Sequence, residues 1–297
     1  MNTSIDDHRL AECVILENRS RIVYFDEEYP NAFIGYDEGR RLAEFLTTRN
    51  FAILDASELE GWMRKVTSKG KASFTCVVFA MDIIPEQVFG DVNGNVLFRR
   101  YLDAGGRIVW VGDIPAWYKG KSGKEREEAW QLGSFVSLLG IAPVMANCVM
   151  PVEITSRGRD LGLHSTWYSM RPVLIRDIDR LGPPFWSAIA SIELDVLAWT
   201  NVTIGRSVVR SKPMLGSIRG FSIGAQAAGL GGRLTLAREE QIRVYNKRCA
   251  SAWHIAFNPG HRNQGFFRIW DHPIRLIDLT DERLQELHEL ATQGLAT

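Results

Sequence analysis

The sequence predicts an α/β protein built on an open, doubly wound and mostly parallel sheet. Two observations lead to this prediction. Four short apolar runs between residues 20 and 140 are each followed by a stretch with helical periodicity. The run at 74–81 is apolar nearly throughout, as in a central parallel strand that is covered on both faces. Parallel neighbours need helical crossovers, which are right-handed, so the alternation favours this type of sheet.

The first two strand–helix units have the most distinct patterns. Arg21–Phe25 is a short β-type run that ends at a polar turn, and residues 36–50 then place apolar side chains on one helical face. Phe51–Leu54 is the second strand. Asp55, with Glu58 three residues later, has the spacing of a capping box, so we expect Asp55 to cap the second helix.

Two further units complete the predicted core. Phe74–Met81 is the third strand and residues 95–106 are the third helix, with Gly105 at a position that commonly ends a helix. Arg107–Val111 is the fourth strand, and residues 125–140 have the apolar spacing of a fourth helix.

The second half is less regular and predicts a β-rich extension of the same sheet. Its clearest element is a capped amphipathic helix near the end of the sequence, with an apolar stripe of Leu284, Leu287 and Leu290. We therefore expect a single α/β domain over residues 1–297, with a core at 20–150 and an elaborated C-terminal part at 151–297. A domain boundary near residue 150 is the alternative.

Composition excludes several classes of function. Lys plus Arg and Asp plus Glu both number 35, so the net charge of zero supplies no long-range field for nucleic acid or an anionic membrane, although a local patch stays open. Apolar runs stay short of the ~18 residues that a membrane span needs, and the N-terminus lacks the apolar region of a signal peptide. We expect a cytoplasmic protein without a membrane or nucleic-acid partner, and reduced thiols at Cys13, Cys76, Cys148 and Cys249.

Three stretches carry a resemblance to a known family: "YLDAGGRIVWVG" at 101–112, "ITSRGRDLGLHSTWYSMRPV" at 154–173 and "ASAWHIAFNPGHRNQGFFRIWD" at 250–271. Together they resemble the class I glutamine amidotransferase-like superfamily, and within it the ThuA-like and related non-amidotransferase branches. The resemblance touches about a third of the chain and implies a flavodoxin-like fold.

The sequence departs from the amidotransferases of that superfamily at the catalytic positions. Such an enzyme would carry a Cys between two glycines after the fourth strand and a His-x-Glu pair late in the chain. Here Gly112 is followed by Asp113, and His254 is followed by Ile255 and Ala256. The thiolate and its base are both missing, so the protein is not expected to be a Cys-dependent glutamine amidotransferase.

Acidic residues follow the predicted strands where each one ends. Asp26 follows the first strand, Asp82 the third and Asp113 the fourth. In an open α/β sheet ligands bind outside the carboxyl ends of the strands, and successive exits in the predicted strand order 2-1-3-4 would lie ~5 Å apart. These carboxylates could bind Mg²⁺, hold sugar hydroxyls, or form a catalytic pair with raised pKa values.

The alternative is that these carboxylates only cap helices. Asp82 and Asp113 lie close to an Ile and a Pro rather than at a clean helix start, so for both residues the catalytic and the capping interpretations stay open. Glu27 is either a ligand-binding side chain or a solvated loop charge.

The loop "WYKGKSGKEREE" after the fourth strand contains Gly120-Lys121-Ser122, which matches the ending of a phosphate-binding loop. Pro115 stands where the full pattern needs Gly, so a mobile basic surface loop is the alternative. In a third interpretation the loop is a lid over the carboxylates, with Trp117 and Tyr118 as stacking surfaces and Lys121 as a ligand-binding cation.

The segment at 253–272 contains three histidines without a recognised metal-ligand spacing, so we assign no metal site. It is either a simple hairpin or a hairpin that brings Trp253 or His254 to the carboxyl edge. There Trp253 could contact a ligand and His254 could act as an acid or base near neutral pH.

These observations support three functional hypotheses, and none of them identifies a cofactor. The first is a non-catalytic or divergent member of the fold that binds a small polar ligand, such as a nucleotide or sugar derivative, or a protein partner at the carboxyl edge. The second is a hydrolase or glycosidase-like enzyme that pairs Asp82 with Asp113 or Asp26, with or without a metal. The third is a structural subunit with a Trp-rich interface.

Overall fold

The computed structural model describes residues 20–90, 96–129, 138–139, 144–145, 149–174, 193–209, 240–257 and 263–295. The helices in these ranges are α1 (Tyr36–Thr47), α2 (Ala56–Ser68), α3 (Glu86–Phe89), α4 (Leu97–Asp103), α5 (Ser156–Asp160) and α6 (Asp281–Thr292). The strands in the first half are β1 (Arg21–Tyr24), β2 (Ala52–Leu54), β3 (Cys76–Phe79), β4 (Ile84–Pro85), β5 (Arg107–Val111), β6 (Tyr118–Lys121) and β7 (Glu125–Glu128). Those in the second half are β8 (Val144–Met145), β9 (Met150–Pro151), β10 (Glu153–Ile154), β11 (Tyr168–Ser169), β12 (Val173–Leu174), β13 (Glu193–Val209), β14 (Glu240–Ala256) and β15 (Gly265–Ile269).

The main sheet is mixed, in the order β10-β13-β14-β15-β5-β3-β1-β2. The five strands β2, β1, β3, β5 and β15 run parallel to one another. β10, β13 and β14 pair antiparallel, as do β14 with β15 and β12 with both β14 and β8. The predicted doubly wound, mostly parallel flavodoxin-like sheet is therefore wrong.

The long antiparallel pair explains this correction. β13 and β14 are each 17 residues long and pair along their lengths, and β14 then pairs antiparallel with β15. Antiparallel neighbours need no helical crossover. The regular alternation of the first half therefore says nothing about how the second half joins the sheet.

The predicted fourth helix is also wrong over its first residues. Residues 125–128 form β7, which pairs antiparallel with β6. Gly123, with φ of +76°, makes the turn between the two strands, and Lys119 forms a 3.1 Å ion pair with Glu127 across them. Cross-strand pairs of opposite charge stabilise such a hairpin. The rest of the predicted helix lies largely outside the described residues.

Local sequence signals explain the first two helices. α1 carries Asp37 and Glu38 in its first turn, where the helix dipole favours acidic groups. α2 begins at a complete capping box, because the Asp55 carboxylate accepts the Glu58 N–H and the Glu58 carboxylate accepts the Asp55 N–H. The predicted cap at Asp55 is confirmed.

The core lies on both faces of the sheet. One face packs aromatic side chains against α2 and α4, the other packs aliphatic side chains against α1 and α6, and burial of each large side chain stabilises the fold by ~1.5–3 kcal/mol. The predicted apolar stripe of α6 is buried at Leu284, Leu287 and Leu290. Cys76 and Cys249 are buried free thiols, and burial raises the pKa of Cys76 to about 12. Cys13 and Cys148 lie outside the described residues.

No helix within the described ranges is both long and apolar enough to cross a membrane.

Candidate functional site

The carboxyl ends of β3 and β5 bring Asp82 and Asp113 together. Both residues are buried, and the backbone N–H of Asp113 donates a 3.2 Å hydrogen bond to Asp82 Oδ2. Gly112 makes the turn between β5 and Asp113 with φ of +88°, a conformation that favours glycine. The sequence predicted this juxtaposition from the positions of the two strand ends.

Asp82 joins the strand ends to the loop after β1. Its carboxylate accepts hydrogen bonds from the backbone N–H groups of Ala32 at 2.8 Å and Phe33 at 2.6 Å, besides that of Asp113. Burial raises the pKa of Asp82 to about 6, the three N–H groups oppose this rise, and the negative charge of Asp113 adds to it. The Asp82 carboxylate thus connects the loop after β1 to the turn after β5.

Asp113 forms a partly buried ion pair with Arg171. Arg171 Nη1 donates to Asp113 Oδ1 at 2.7 Å, and the backbone N–H of Ile114 donates to the same oxygen at 2.6 Å. The Asp113 side chain is 3% exposed and that of Arg171 is 28% exposed. Burial raises the pKa of Asp113, while the N–H of Ile114 and the charge of Arg171 oppose the rise. Of the two side chains in this ion pair, Arg171 is therefore the one that is exposed to solvent.

Arg268, near the carboxyl end of β15, is a second arginine in this region. It is fully buried, and its Nη1 donates to the carbonyl oxygen of Arg171 at 2.9 Å. Burial lowers the pKa of Arg268, while the charges of Asp271 and Asp113 raise it. Trp253 lies directly opposite Arg268 on β14. Trp253 was predicted to contact a ligand, and the structure places it beside this arginine.

Asp271 follows β15 and is fully buried. Its carboxylate accepts three hydrogen bonds from side chains, namely Trp167 Nε1 at 3.0 Å, Ser169 Oγ at 2.6 Å and Ser251 Oγ at 2.6 Å. The negative charges of Asp271 and Asp113 both act on the Arg268 guanidinium. The carboxyl edge therefore holds four buried charged residues, Asp82, Asp113, Arg268 and Asp271, together with the partly exposed Arg171.

Sequence reasoning missed Arg171, Arg268 and Asp271. One signal was present, because Arg268 interrupts the otherwise apolar strand "GFFRI", and buried charged residues need partners. Arg171 and Asp271 lie in irregular segments, where no spacing rule marks them.

Asp26 and Glu27, at the exit of β1, are engaged away from these charged residues. Asp26 accepts the N–H groups of Ala56 at 3.1 Å and Glu28 at 3.0 Å, so it caps α2 and the turn after β1. Glu27 forms a surface ion pair with Arg40 at 2.6 Å. Both contacts correspond to the structural alternatives rather than to ligand binding.

The β6–β7 hairpin contains Trp117, Tyr118 and Lys121. Trp117 packs against the core and its carbonyl accepts the N–H of Ala129 at 2.9 Å. The ring of Tyr118 lies 4.8 Å from the Arg126 guanidinium, and Lys121 Nζ lies 3.9 Å from Glu127. Gly120-Lys121-Ser122 thus runs from a strand into a hairpin turn instead of into a helix. A phosphate-binding loop depends on the helix that follows it.

His254 lies opposite the middle of β15, and its ring contacts the backbone on the amino side of that strand. It pairs with Phe267, stacks on that ring at 4.1 Å between centroids, and its Nε2 lies 2.8 Å from the carbonyl oxygen of Gln264. Because Gln264 precedes β15, this contact is on the amino side of the sheet. The Nδ1 atom lies 3.6 Å from Asp195, and the nearby imidazole lowers the pKa of Asp195. His254 is not brought near Asp82 or Asp113 as the prediction required.

Two further observations describe potential sites. Among the described residues, no group of three or more His, Cys, Asp or Glu side chains is placed to hold a metal ion. A shallow surface depression of about 520 Å³ lies between α1 and α6 and is lined by Arg41, Glu44, Phe45, Thr48, Arg49 and Asp281.

Comparison with known proteins connects this chain to one family. The model of the MJECL34 family matches residues 19–210, a range that includes Asp82, Asp113 and Arg171. The chain is also similar to the uncharacterized protein MJECL34 of Methanocaldococcus jannaschii, with 25% identity over 286 residues that cover 95% of this chain and 77% of the relative.

Proposed function

We propose that this chain, which belongs to the MJECL34 family, binds a small polar ligand at the carboxyl edge of its sheet and does not itself catalyse a reaction on it. One observation carries the proposal: the Asp113–Arg171 ion pair, in which a buried carboxylate holds an arginine that is still 28% exposed. The guanidinium is held in one orientation by Asp113 and can still reach a ligand in solvent.

The chemistry of Arg171 supports a ligand rich in oxygen atoms. Its guanidinium lies 4.4 Å from the centre of the Phe33 ring, so its plane is supported on one side by an aromatic surface. Its Nη1 is engaged with Asp113. The guanidinium also carries donors on Nε and Nη2, which suit phosphate, carboxylate or hydroxyl oxygens. A nucleotide or a sugar derivative offers such groups.

The use of the two carboxylates supports binding over catalysis. Asp82 accepts three backbone N–H groups, and Asp113 accepts Ile114 N–H and Arg171. A general base or nucleophile must direct a lone pair toward the substrate. Asp26, the third member of the hypothetical pairs, caps α2. We therefore do not extend the proposal to a paired-carboxylate hydrolase.

A thermal-shift screen tests this proposal. Nucleotides, sugars, sugar phosphates and divalent metal salts are added to the wild-type protein, to Arg171→Gln and to Arg41→Gln. The Arg41 variant is the matched control, because Arg41 lines the surface depression between α1 and α6. We expect at least one compound to raise the Tm of the wild type and of Arg41→Gln, and to raise that of Arg171→Gln much less.

Two results would overturn the proposal. One is a panel in which no compound changes the Tm of the wild type. The other is a compound whose effect is unchanged in Arg171→Gln and lost in Arg41→Gln, which would move the site to the surface depression. The resemblance to the amidotransferase-like superfamily and a protein partner at this edge both stay predictions.

A further inference from the structure

We infer that Arg268 and Trp253 form a buried subsite for an oxyanion, so that the ligand of the carboxyl edge carries a carboxylate or a phosphate group. This inference rests on the proposed function and deepens it, since Arg268 donates a hydrogen bond to the carbonyl oxygen of Arg171.

The first observation is that one edge of the Arg268 guanidinium has no acceptor among the described residues. Arg268 is fully buried, and Nη1 donates to the Arg171 carbonyl oxygen at 2.9 Å. Nε and Nη2 have no hydrogen-bond partner in the part of the chain that the structure describes. Nε–H and Nη2–H point in the same direction and form the edge of a guanidinium that binds two oxygens of one anion.

Elsewhere in this protein the same edge binds a carboxylate. Arg40 donates from Nε at 3.1 Å and from Nη2 at 2.6 Å to Glu27 Oε1. Arg64 donates from Nε at 2.9 Å and from Nη2 at 2.7 Å to Glu60 Oε1. These two arginines are on the surface, where water could have replaced the carboxylate. Arg268 lies in the interior, and this edge meets no carboxylate among the described residues.

The acidic residues near Arg268 are already engaged with other donors. Asp271 accepts hydrogen bonds from one indole and two hydroxyl groups. Asp113 accepts from Arg171 and from the N–H of Ile114. Their charges act on Arg268 at a distance, but neither Nε nor Nη2 donates a hydrogen bond to either carboxylate. Both donors of this edge therefore remain without an acceptor among the described residues.

The second observation is the indole of Trp253. Trp253 and Arg268 are directly opposite on the antiparallel pair β14–β15, so their side chains project from the same face, with Cβ atoms ~4.5–5.5 Å apart. Trp253 is buried, and its Nε1 also has no acceptor in the described ranges. On the other side of Arg268, Trp110 donates its Nε1–H to the carbonyl oxygen of Asp113 at 2.8 Å. Arg268 and its cross-strand neighbour Trp253 thus contribute three buried donors that have no acceptor among the described residues.

Physical chemistry favours a ligand at such a place. A buried cation whose donors are unpaired loses its hydration without compensation, and every unpaired donor adds to that cost. One oxyanion would accept from both Arg268 donors and from the indole, and it would be partly neutralised by the guanidinium. A neutral sugar would leave the charge uncompensated, so the subsite favours an anion.

Isothermal titration calorimetry of the full chain tests the inference. Sodium phosphate and sodium acetate are titrated separately, with sodium chloride as an ionic-strength control. We expect one of the two anions to bind saturably, and its affinity to fall at least ~10-fold in Arg268→Gln and in Arg268→Lys, because an ammonium group cannot form the bidentate contact. Trp253→Phe keeps the aromatic packing and should weaken binding several-fold. Arg248→Gln, at an exposed arginine, is the control and should bind as the wild type does.

The outcomes separate this inference from the proposed function. Binding of phosphate alone identifies a phosphorylated ligand, and binding of acetate alone identifies a carboxylate. Should neither anion bind, or should binding be unchanged in both Arg268 variants and in Trp253→Phe, the inference is wrong. A neutral sugar whose Tm effect depends on Arg171 would at the same time keep the proposed function intact. Circular dichroism of every variant verifies that each is folded, and Trp253→Phe keeps the test valid where an Arg268 variant is not.

Discussion

Two buried arginines lie at opposite edges of the same pair of strands and are used differently. Arg107 begins β5 at the amino edge, and its Nη1 and Nη2 donate to the carbonyl oxygens of four residues: Leu290, Ala291, Asn263 and Gln293, at 2.6–3.1 Å. Arg268 lies near the end of β15 at the carboxyl edge, and one hydrogen bond, to the carbonyl oxygen of Arg171, is formed within the described residues.

This difference shows how burial alone fails to define the role of a charged residue. Arg107 satisfies the last carbonyls of α6, where the helix dipole favours a cation, so its charge holds the fold together. Arg268 is equally buried and leaves its bidentate edge without an acceptor. The inventory of acceptors distinguishes a structural arginine from one that is available to a ligand.

The largest effect should come from removing each arginine in turn. Arg107→Met leaves four carbonyl oxygens without their donor and should lower the free energy of unfolding by ~3–5 kcal/mol. Arg268→Met deprives a single carbonyl of its donor and should cost no more than ~1–2 kcal/mol. Urea unfolding in a buffer without phosphate or carboxylates measures both values. Equal losses of unfolding free energy in the two variants would contradict the distinction between a structural arginine and one that is available to a ligand.

The pH dependence of stability should also differ between the edges. The folded-state pKa of Asp82 is about 6 against an ordinary value of 3.8, so between these values the folded protein binds more protons than the unfolded chain. The free energy of unfolding should therefore fall as pH rises from about 4 to about 6, by on the order of 3 kcal/mol from this group. The raised pKa of Asp113 acts in the same direction.

Asp82→Asn should lack the part of this fall that Asp82 contributes, as urea unfolding at several pH values would show. Asp195, at the amino edge, is the control with the opposite sign: its pKa is lowered, so its contribution is present at higher pH and is lost as pH falls through the folded-state pKa. A wild-type protein whose stability rises between pH 4 and 6, with the same rise in Asp82→Asn, would contradict the assignment.

Two glycines with positive φ allow the cost of a steric clash to be separated from the cost of backbone strain. The expected effects are smaller than those above. In Gly112, with φ of +88°, an added Cβ would lie 2.9 Å from Ile34 Cγ1 and 3.1 Å from Asp82 Oδ2. In Gly70, with φ of +65°, an added Cβ would meet nothing within 4 Å. Gly112→Ala should cost ~2–3 kcal/mol and Gly70→Ala ~1 kcal/mol, since only the first combines backbone strain with a clash. Similar Tm losses in the two variants would mean that the turn before Asp113 tolerates crowding.

The smallest effect is expected at the exit of β2. Asp55→Ala removes the cap of α2 and should lower the free energy of unfolding by ~1 kcal/mol. Glu58→Ala, which removes only the reciprocal half of the capping box, should cost less. Neither variant should change binding of the anion in calorimetry. A loss of binding in Asp55→Ala would extend the site to the second strand exit.

The predictable and unpredictable parts of the fold differ in the range of the interactions that determine them. Arg107–Val111 was predicted to the residue, because a strand between a glycine turn and a polar exit is a local signal. Glu125–Glu128 was predicted as a helix and is a strand, because its partner, β6, is specified by pairing across the hairpin. The order of β13, β14 and β15 depends on antiparallel pairing, which the helical period of the first half does not encode.

The candidate site shows the same division. Strand exits placed Asp82 and Asp113 side by side, since both follow neighbouring parallel strands directly. Arg171 reaches them from a segment 58 residues beyond Asp113, and Arg268 enters through a strand that joins the sheet late in the chain. Such partners depend on tertiary contacts that no local period reveals. The contacts of His254 with Phe267 and Gln264 likewise depend on the antiparallel pairing of β14 with β15, which was not foreseen.

The contacts of Arg107 also constrain how the protein forms during synthesis. Its guanidinium acceptors lie 156 to 186 residues further along the chain. Before α6 has been synthesised, a nascent chain that already contains β1 to β5 leaves the Arg107 guanidinium without most of its acceptors. We expect the parallel strands to remain incompletely assembled until α6 has been synthesised, because most of these closing contacts belong to that helix and the residue after it.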